Sequence, residues 1–236
     1  MPSAPAGPRA PAAPVVLALL HTSPVHVPVF DALREQDHPR LRVRHFVDED
    51  LLRRARRDGP ETVADDVTAV LERAVAEGAG AVLCTCSTIG AVAEAAGAGR
   101  VPPVLRVDRP MAAQAVAAGP RVVVVAAVES TLAPTAALLL QEAERAGRRL
   151  RVRPLLVPGA WARFEAGDTD GYVRAVAEAA DSVTGAEADA VVLAQASMAP
   201  ARNLTTTSVP VLSSPRPGLA AAARAATRAA GAAAPA

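Results

Sequence analysis

The sequence predicts an α/β fold of two similar, pseudosymmetric lobes, each a four-stranded parallel sheet flanked by helices, with the active-site cleft between them. Three observations carry this expectation. Short runs rich in Val and Leu alternate with longer Ala/Glu/Arg stretches, the pattern of strands buried on both faces between amphipathic helices. Hydrophobic residues make up 51% of the chain but aromatics only 2%, so the core is built from small aliphatic side chains. Finally, Gly80–Ser87 (GAVLCTCS) and Ala190–Ser197 (AVVLAQAS) resemble each other at a spacing of about 110 residues, each third of four apolar runs in its half.

In chain order, Met1–Pro14 is Pro/Ala-rich. It lacks the basic start and apolar stretch of a secretion signal, and reads as a disordered leader over 1–14. The first strand is expected at Val15–Leu20, too short to span a bilayer, and the second at Leu41–Phe46. Between them and the third, Thr62–Glu77 places Val63, Val67, Val70, Leu71 and Ala74 on one helical stripe, stopped by Gly78. Ala81–Thr85 and Val104–Arg106 complete a first lobe over 15–118 that part of the C-terminal segment closes. The second lobe, 119–230, is expected to hold strands Val122–Ala126, Val152–Leu156, Ala190–Ala194 and Val209–Leu212. Its helices are expected over Thr131–Ala146, stopped by Gly147, over Asp168–Val183 and over Leu219–Ala230, with a frayed tail at 231–236.

Several functions are excluded at this level. The formal net charge is +1, with 25 basic against 24 acidic residues, so neither a nucleic acid nor a membrane surface is held by bulk charge. All basic residues are Arg. Without Lys there is no internal Schiff base and no phosphate-binding P-loop lysine. The two cysteines, Cys84 and Cys86, are too close to staple a fold and too few for a metal site. They suit a reducing, cytoplasmic compartment. His21 and His26 straddle Pro24, which spoils a helical metal pair, and His38 and His45 read as loop and strand-surface residues. The basic run Arg53–Arg57 sits among Asp48, Glu49, Asp50 and Asp58 and reads as a solvated helix face. Trp161 is open to three roles: cleft wall, dimer contact or core.

Strand ends carry the candidate chemistry. Thr22-Ser23 follow the first strand, Cys86-Ser87-Thr88 the third, Ser130-Thr131 the fifth and Gln195-Ala196-Ser197 the seventh. Hydroxyls and free N–H groups at strand-to-helix turns receive anions, although Ser and Thr also serve there as plain helix caps. On one rim the four turns would form a cradle for carboxylate oxygens. Cys86 sits where a strand gives way to a turn, a position that favours ionisation of a thiol for acid–base work. The alternative is a small buried thiol, the expected role of Cys84 inside the strand.

The run Ala81-Val82-Leu83-Cys84-Thr85-Cys86-Ser87-Thr88-Ile89-Gly90 resembles the first cysteine segment of the aspartate/glutamate racemase superfamily, an apolar strand followed by Cys-(Asn/Ser)-Thr. Pro102–Val107 resembles the strand that follows it, Val122–Thr131 the mid-chain strand closed by a Ser/Thr turn, and Asp189–Met198 lies where the second cysteine segment belongs. The resemblance implies a cofactor-independent, PLP-free enzyme of two lobes, often dimeric, with relatives among hydantoin racemases, maleate isomerases and arylmalonate decarboxylases. It implies a small carboxylate or amino-acid substrate whose acidic carbon lies between two thiols. The second thiol is missing here. Matching Ser87 to Ser197 places Ala196 opposite Cys86, and matching strand starts places Gln195 there. An isomerase or lyase with Cys86 as its proton carrier follows, with Gln195 as an oxyanion donor and Thr22, Ser23, Ser87, Thr88, Ser130, Thr131 and Ser197 as substrate-binding groups. The alternative is a carboxylate-binding or regulatory protein on the same fold.

Overall fold

The computed structural model describes residues 15–233. The expected leader and the last three residues of the expected tail lie outside them. Strands β1 (Val16–His21), β2 (Arg42–Val47), β3 (Ala81–Cys84) and β4 (Val104–Arg106) form one parallel sheet in the order β2-β1-β3-β4. Strands β5 (Arg121–Ala126), β6 (Arg151–Leu156), β7 (Ala190–Leu193) and β8 (Val211–Ser213) repeat that arrangement as β6-β5-β7-β8. The inner strands β3 and β7 are buried at every position, as their unbroken apolar runs require. At the edges, β2 turns Arg42 and Arg44 outward from the core and β6 carries Arg151, Arg153 and Pro154, side chains that keep a free edge from pairing with another chain.

Nine helices cover the sheets among the described residues: α1 (Val27–Asp37), α2 (Glu49–Asp58), α3 (Ala64–Ala76), α4 (Gly90–Ala96), α5 (Arg109–Ala118), α6 (Leu132–Arg145), α7 (Ala160–Glu165), α8 (Thr169–Asp181) and α9 (Pro215–Ala233). Helix α3 buries Val67, Leu71 and Ala74, and α6 buries Thr135, Leu138, Leu139 and Ala143. The chain leaves both through glycines in the left-handed region, Gly78 at φ 82° and Gly147 at φ 63°, where a side chain would be strained. Helix α9 returns to the first sheet, sharing a core of Leu219, Ala222 and Ala226 with Leu17, Leu19 and Leu83. It starts earlier than the periodicity suggests, because Pro215 and Pro217 occupy a first turn where a missing N–H costs nothing. It also runs on through Gly231–Ala233, which are helical where the sequence pattern suggested fraying.

Each sheet packs on both faces, giving four apolar clusters with no side chain larger than Tyr172 fully buried. Burying a Leu or Val contributes about 1.5–3 kcal/mol, so stability comes from many small increments. The topology marks one crevice at each sheet. In both sheets the strand order reverses direction between the two inner strands, β1 and β3 or β5 and β7. The crevice beyond their carboxyl ends is where parallel α/β sheets bind ligands.

Candidate active site

Residues that follow the four inner strands meet in one cavity enclosing about 60 Å³, room for several waters or part of a small organic acid. Thr22 and Ser23 come from β1, Thr85, Cys86, Ser87 and Thr88 from β3, Thr131 from β5, and Gln195, Ala196 and Ser197 from β7. Of the residues expected at the site, the structure therefore brings together Cys86, Thr22, Ser23, Ser87, Thr88, Thr131, Gln195 and Ser197. Ser130 is outside this lining, and its hydroxyl is buried without a hydrogen-bond partner.

The two cysteines have separate environments. Cys84 is fully buried in the sheet, donates weakly from Sγ to the Cys86 carbonyl at 3.6 Å, and has its thiol pushed well above its usual range by burial and then by the neighbouring Cys86. It stays protonated and inert. Cys86 is half-buried and lines the cavity. The helix that follows does not begin until Gly90; a turn over Ser87–Ile89 intervenes. The backbone passes close to Arg106 there: a Cβ on Gly90 would lie 3.1 Å from its Nε, a tight contact. Arg106 itself is buried in a two-point pair with Asp108, at 2.7 and 2.9 Å.

The register decides what stands opposite Cys86 in the repeat. Leu20 pairs with Cys84 in the first sheet and Val125 with Leu193 in the second, and both are the fifth residues of equivalent strands. Likewise the Thr85 N–H donates to Leu20 O and the Ala194 N–H to Val125 O, both at 2.9 Å. Thr85 is thus equivalent to Ala194, and Cys86 to Gln195. Gln195 Oε1 accepts the Ala127 N–H at 2.7 Å, which fixes the side chain and leaves its Nε2 hydrogens unspent among the described residues. The lobes are tied directly beside it: Ser87 Oγ donates to the Ala194 carbonyl at 3.0 Å. Thr131 Oγ1 donates to the Val128 carbonyl at 2.7 Å, and Ser197 Oγ shares a hydrogen bond of 2.8 Å with the Tyr172 hydroxyl. Burial raises that phenol to about 12, so it remains protonated.

Sequence reasoning missed several cavity residues, among them Arg56, His26 and Thr85. Arg56 in α2 is the single Arg among the lining residues. Its neighbours are spent on carboxylates, Arg53 on Asp50, Arg54 on Asp66 and Arg57 on Asp58, whereas Arg56 has no carboxylate partner among the described residues. It lies 4.8 Å from the ring centroid of Trp161, reaching from one lobe to an aromatic of the other. Trp161 thus walls the cleft, with Phe164 stacked on it at 4.9 Å and Tyr172 beyond at 5.2 Å. His26 also lines the cavity, and burial lowers its pKa to about 4, so it is neutral near pH 7. No sequence pattern separates Arg56 from its paired neighbours: Asp58 is nearer to it in the chain than Asp50 is to Arg53, yet pairs with Arg57.

Comparison with known proteins agrees with this architecture. The family model described as Asp/Glu/Hydantoin racemase matches residues 27–226. Among solved structures, the chain resembles an aspartate racemase from Picrophilus torridus (TM-score 0.66, 14% identity, covering 90% of this chain and 94% of that one). A glutamate racemase isoform from Bacillus anthracis gives a TM-score of 0.65 at 16% identity, covering 90% and 82% of the two chains. The allantoin racemase from Pseudomonas fluorescens gives 0.54 at 18%, covering 89% of each. Among curated proteins none matches by sequence. Among the described residues, no helix is long and apolar enough to cross a membrane and no cluster of three metal-ligating side chains occurs.

Proposed function

Because this chain belongs to the Asp/Glu/hydantoin racemase family, we propose that it is a cofactor-independent isomerase or lyase that moves a proton at the carbon next to a carboxylate, with Cys86 as the proton carrier. The observation that carries the reading is the position of Cys86. It is a half-buried thiol at the switch point of one sheet, in a cavity whose walls also carry hydroxyls, an amide, the Trp161 and Phe164 rings and one guanidinium that has no carboxylate partner among the described residues. Arg56 supplies the counter-charge for a carboxylate, and Thr22, Ser23, Thr88 and Ser197 supply hydrogen bonds to its oxygens, while the Thr131 hydroxyl is spent on the Val128 carbonyl. Removing a proton from that carbon pushes electron density onto the carboxylate. Gln195, whose Oε1 is held by the Ala127 N–H, keeps its Nε2 hydrogens free among the described residues to donate to that developing charge.

Gln195 stands where the repeat would carry a second thiol, and an amide does not transfer protons at neutral pH. This favours a one-thiol reaction, such as isomerisation or decarboxylation with protonation by Cys86, over thiol-to-thiol racemisation. The same substitution is what favours the second reading, a carboxylate-binding protein on a family fold. The small size of the cavity supports a substrate no larger than a small carboxylic or amino acid. A homodimer is the assembly this reading expects, and sedimentation measures it.

Proton exchange separates the two readings. The protein is incubated in deuterated water with a panel of small carboxylates and amino acids, and deuterium at the carbon next to the carboxylate is followed by NMR. The enzyme reading expects label or product with wild type and none with Cys86→Ser. Saturable binding with neither label nor product across the panel supports the binding protein instead.

A further inference from the structure

A row of hydrogen bonds leaves the cleft through the N-terminal lobe. Thr85 Oγ1 is 2.8 Å from Nδ1 of His21, Nε2 of His21 is 2.9 Å from Nδ1 of His45, and Nε2 of His45 is 3.2 Å from Oδ1 of Asp31. Thr85 lines the cavity, His21 is wholly buried, and the Asp31 side chain is 42% exposed. The row therefore links cleft to solvent across β3, β1, β2 and α1. A second acceptor stands at its inner end, the Leu20 carbonyl, 3.1 Å from Thr85 Oγ1.

These positions satisfy two proton arrangements equally well. A carboxylate only accepts, so Nε2 of His45 carries a hydrogen in both. In the first, His45 is neutral and its bare Nδ1 accepts Nε2–H of His21, whose bare Nδ1 accepts the Thr85 hydroxyl. In the second, the Thr85 hydroxyl donates to Leu20 O and accepts Nδ1–H of His21, whose bare Nε2 accepts Nδ1–H of a charged His45. The two differ by one proton and by the tautomer of a His21 that is neutral in both. Burial, followed by the charges of His45 and His26, holds His21 down to about 3, which keeps it neutral near pH 7. His26, with its ring 6.4 Å away, and His45 are the titratable groups acting on it, and Asp31 is the carboxylate facing His45.

We propose that Thr85, His21, His45 and Asp31 form a proton relay from the cleft to solvent, with the Thr85 hydroxyl as the second acid–base group in place of the absent thiol. The proposal rests on the reading of the cleft as a site of proton transfer. The C–H bond of the substrate breaks, its proton passes to Thr85 Oγ1, and its electron pair stays on the substrate as an enediolate. The Thr85 proton moves to Nδ1 of His21 and the Nε2 proton of His21 moves to Nδ1 of His45, leaving an imidazolium beside the Asp31 carboxylate. The Cys86 thiol protonates the carbon. His45 exchanges its Nε2 proton with solvent at its exposed end; its Nδ1 proton then returns to Nε2 of His21, the Nδ1 proton of His21 returns to Thr85 Oγ1, and the proton Thr85 took from the substrate passes to the Cys86 thiolate, which restores the starting arrangement. Here Thr85 touches substrate, while His21, His45 and Asp31 act through it.

Nitrogen NMR of ¹⁵N-histidine-labelled protein tests the relay without substrate. As the pH is lowered, His21 is expected to stay neutral but switch from the Nε2–H to the Nδ1–H tautomer in step with the charging of His45. Thr85→Val and Asp31→Asn should break that correlation. In the deuterium-exchange assay, Thr85→Val is expected to lower kcat about 100-fold. Asp31→Asn, outside the cavity, should lower kcat about 10-fold with KM unchanged, and Asp31→Glu should restore part of it. A His21 that keeps one tautomer through the titration, or an Asp31→Asn variant with wild-type exchange, overturns the relay. Wild type with no exchange overturns the reading of the cleft and with it the role of Thr85, while the tautomers still decide whether the row carries protons.

Discussion

Lowering the pH from 7 to 5 should cost this protein about 4 kcal/mol of stability, shared between two histidines. His21 and His26 are held in the folded state to about 3 and about 4, against an ordinary 6.5, with burial the first cause for both and the charges of His45 and His26 adding to it for His21. The folded values lie below the unfolded one, so at pH 5 the unfolded chain binds protons that the folded chain refuses. Stability from this source is complete above pH 6.5 and is lost as the pH falls from there toward 4 and 3. Between pH 7 and 5 the loss spans about one and a half pH units per histidine, or about 2 kcal/mol each. That is a large share of the roughly 5–15 kcal/mol that stabilises a domain. Carboxylates held below their usual range, Asp58 by Arg57 and Asp189 by Arg121, remain ionised at pH 5, so their losses come at lower pH. Urea unfolding at the two pH values measures the change as a shift in midpoint at constant slope. His26→Gln should show about half the wild-type difference. Equal midpoints at pH 7 and 5, or an undiminished difference in His26→Gln, would refute the argument from burial.

Other consequences are as specific. Iodoacetamide followed by mass spectrometry should label Cys86 and spare Cys84, whose thiol is buried and held protonated, and a bound carboxylate should slow the labelling. Asp108→Asn leaves the Arg106 guanidinium buried without its carboxylate and should cost about 3–5 kcal/mol in urea unfolding. Arg56→Met replaces the guanidinium over Trp161 with an unbranched apolar side chain and removes the charge; KM for a carboxylate should rise about 10-fold or more with kcat little changed, as for a lost charge-assisted hydrogen bond of roughly 1.5–3 kcal/mol.

Much of the fold is legible in the sequence because buried parallel strands are written as unbroken apolar runs. The eight expected strands lie within two residues of the observed ones, and the largest displacement is at β8. There Pro210 has no N–H for the ladder and serves only by accepting the Val191 N–H, so regular pairing starts at Val211. The Gly78 and Gly147 stops were equally readable, since a left-handed exit favours glycine. Short helices such as α4 and α7 are harder: six or seven residues of mostly Ala, Gly and aromatics give no stripe to count. The hydroxyl-bearing turns could be placed on one rim because topology collects the ends of inner strands. What could not be read was pairing at a distance. Arg56 differs from Arg54 only in lacking a partner such as Asp66, and His45 looks like an edge-strand surface residue until His21 and Asp31 flank it. Likewise, Ala196 and Gln195 are equal candidates opposite Cys86 until the sheet register selects Gln195.

A crystal structure with a bound small carboxylate tests the central idea most directly. The ligand is expected between the two inner strand pairs, with an oxygen on Arg56 and the adjoining carbon within about 3.5 Å of the Cys86 sulfur, close enough for proton transfer. A carboxylate held in the cleft with that carbon turned away from the sulfur, or a ligand bound elsewhere on the molecule, would contradict it.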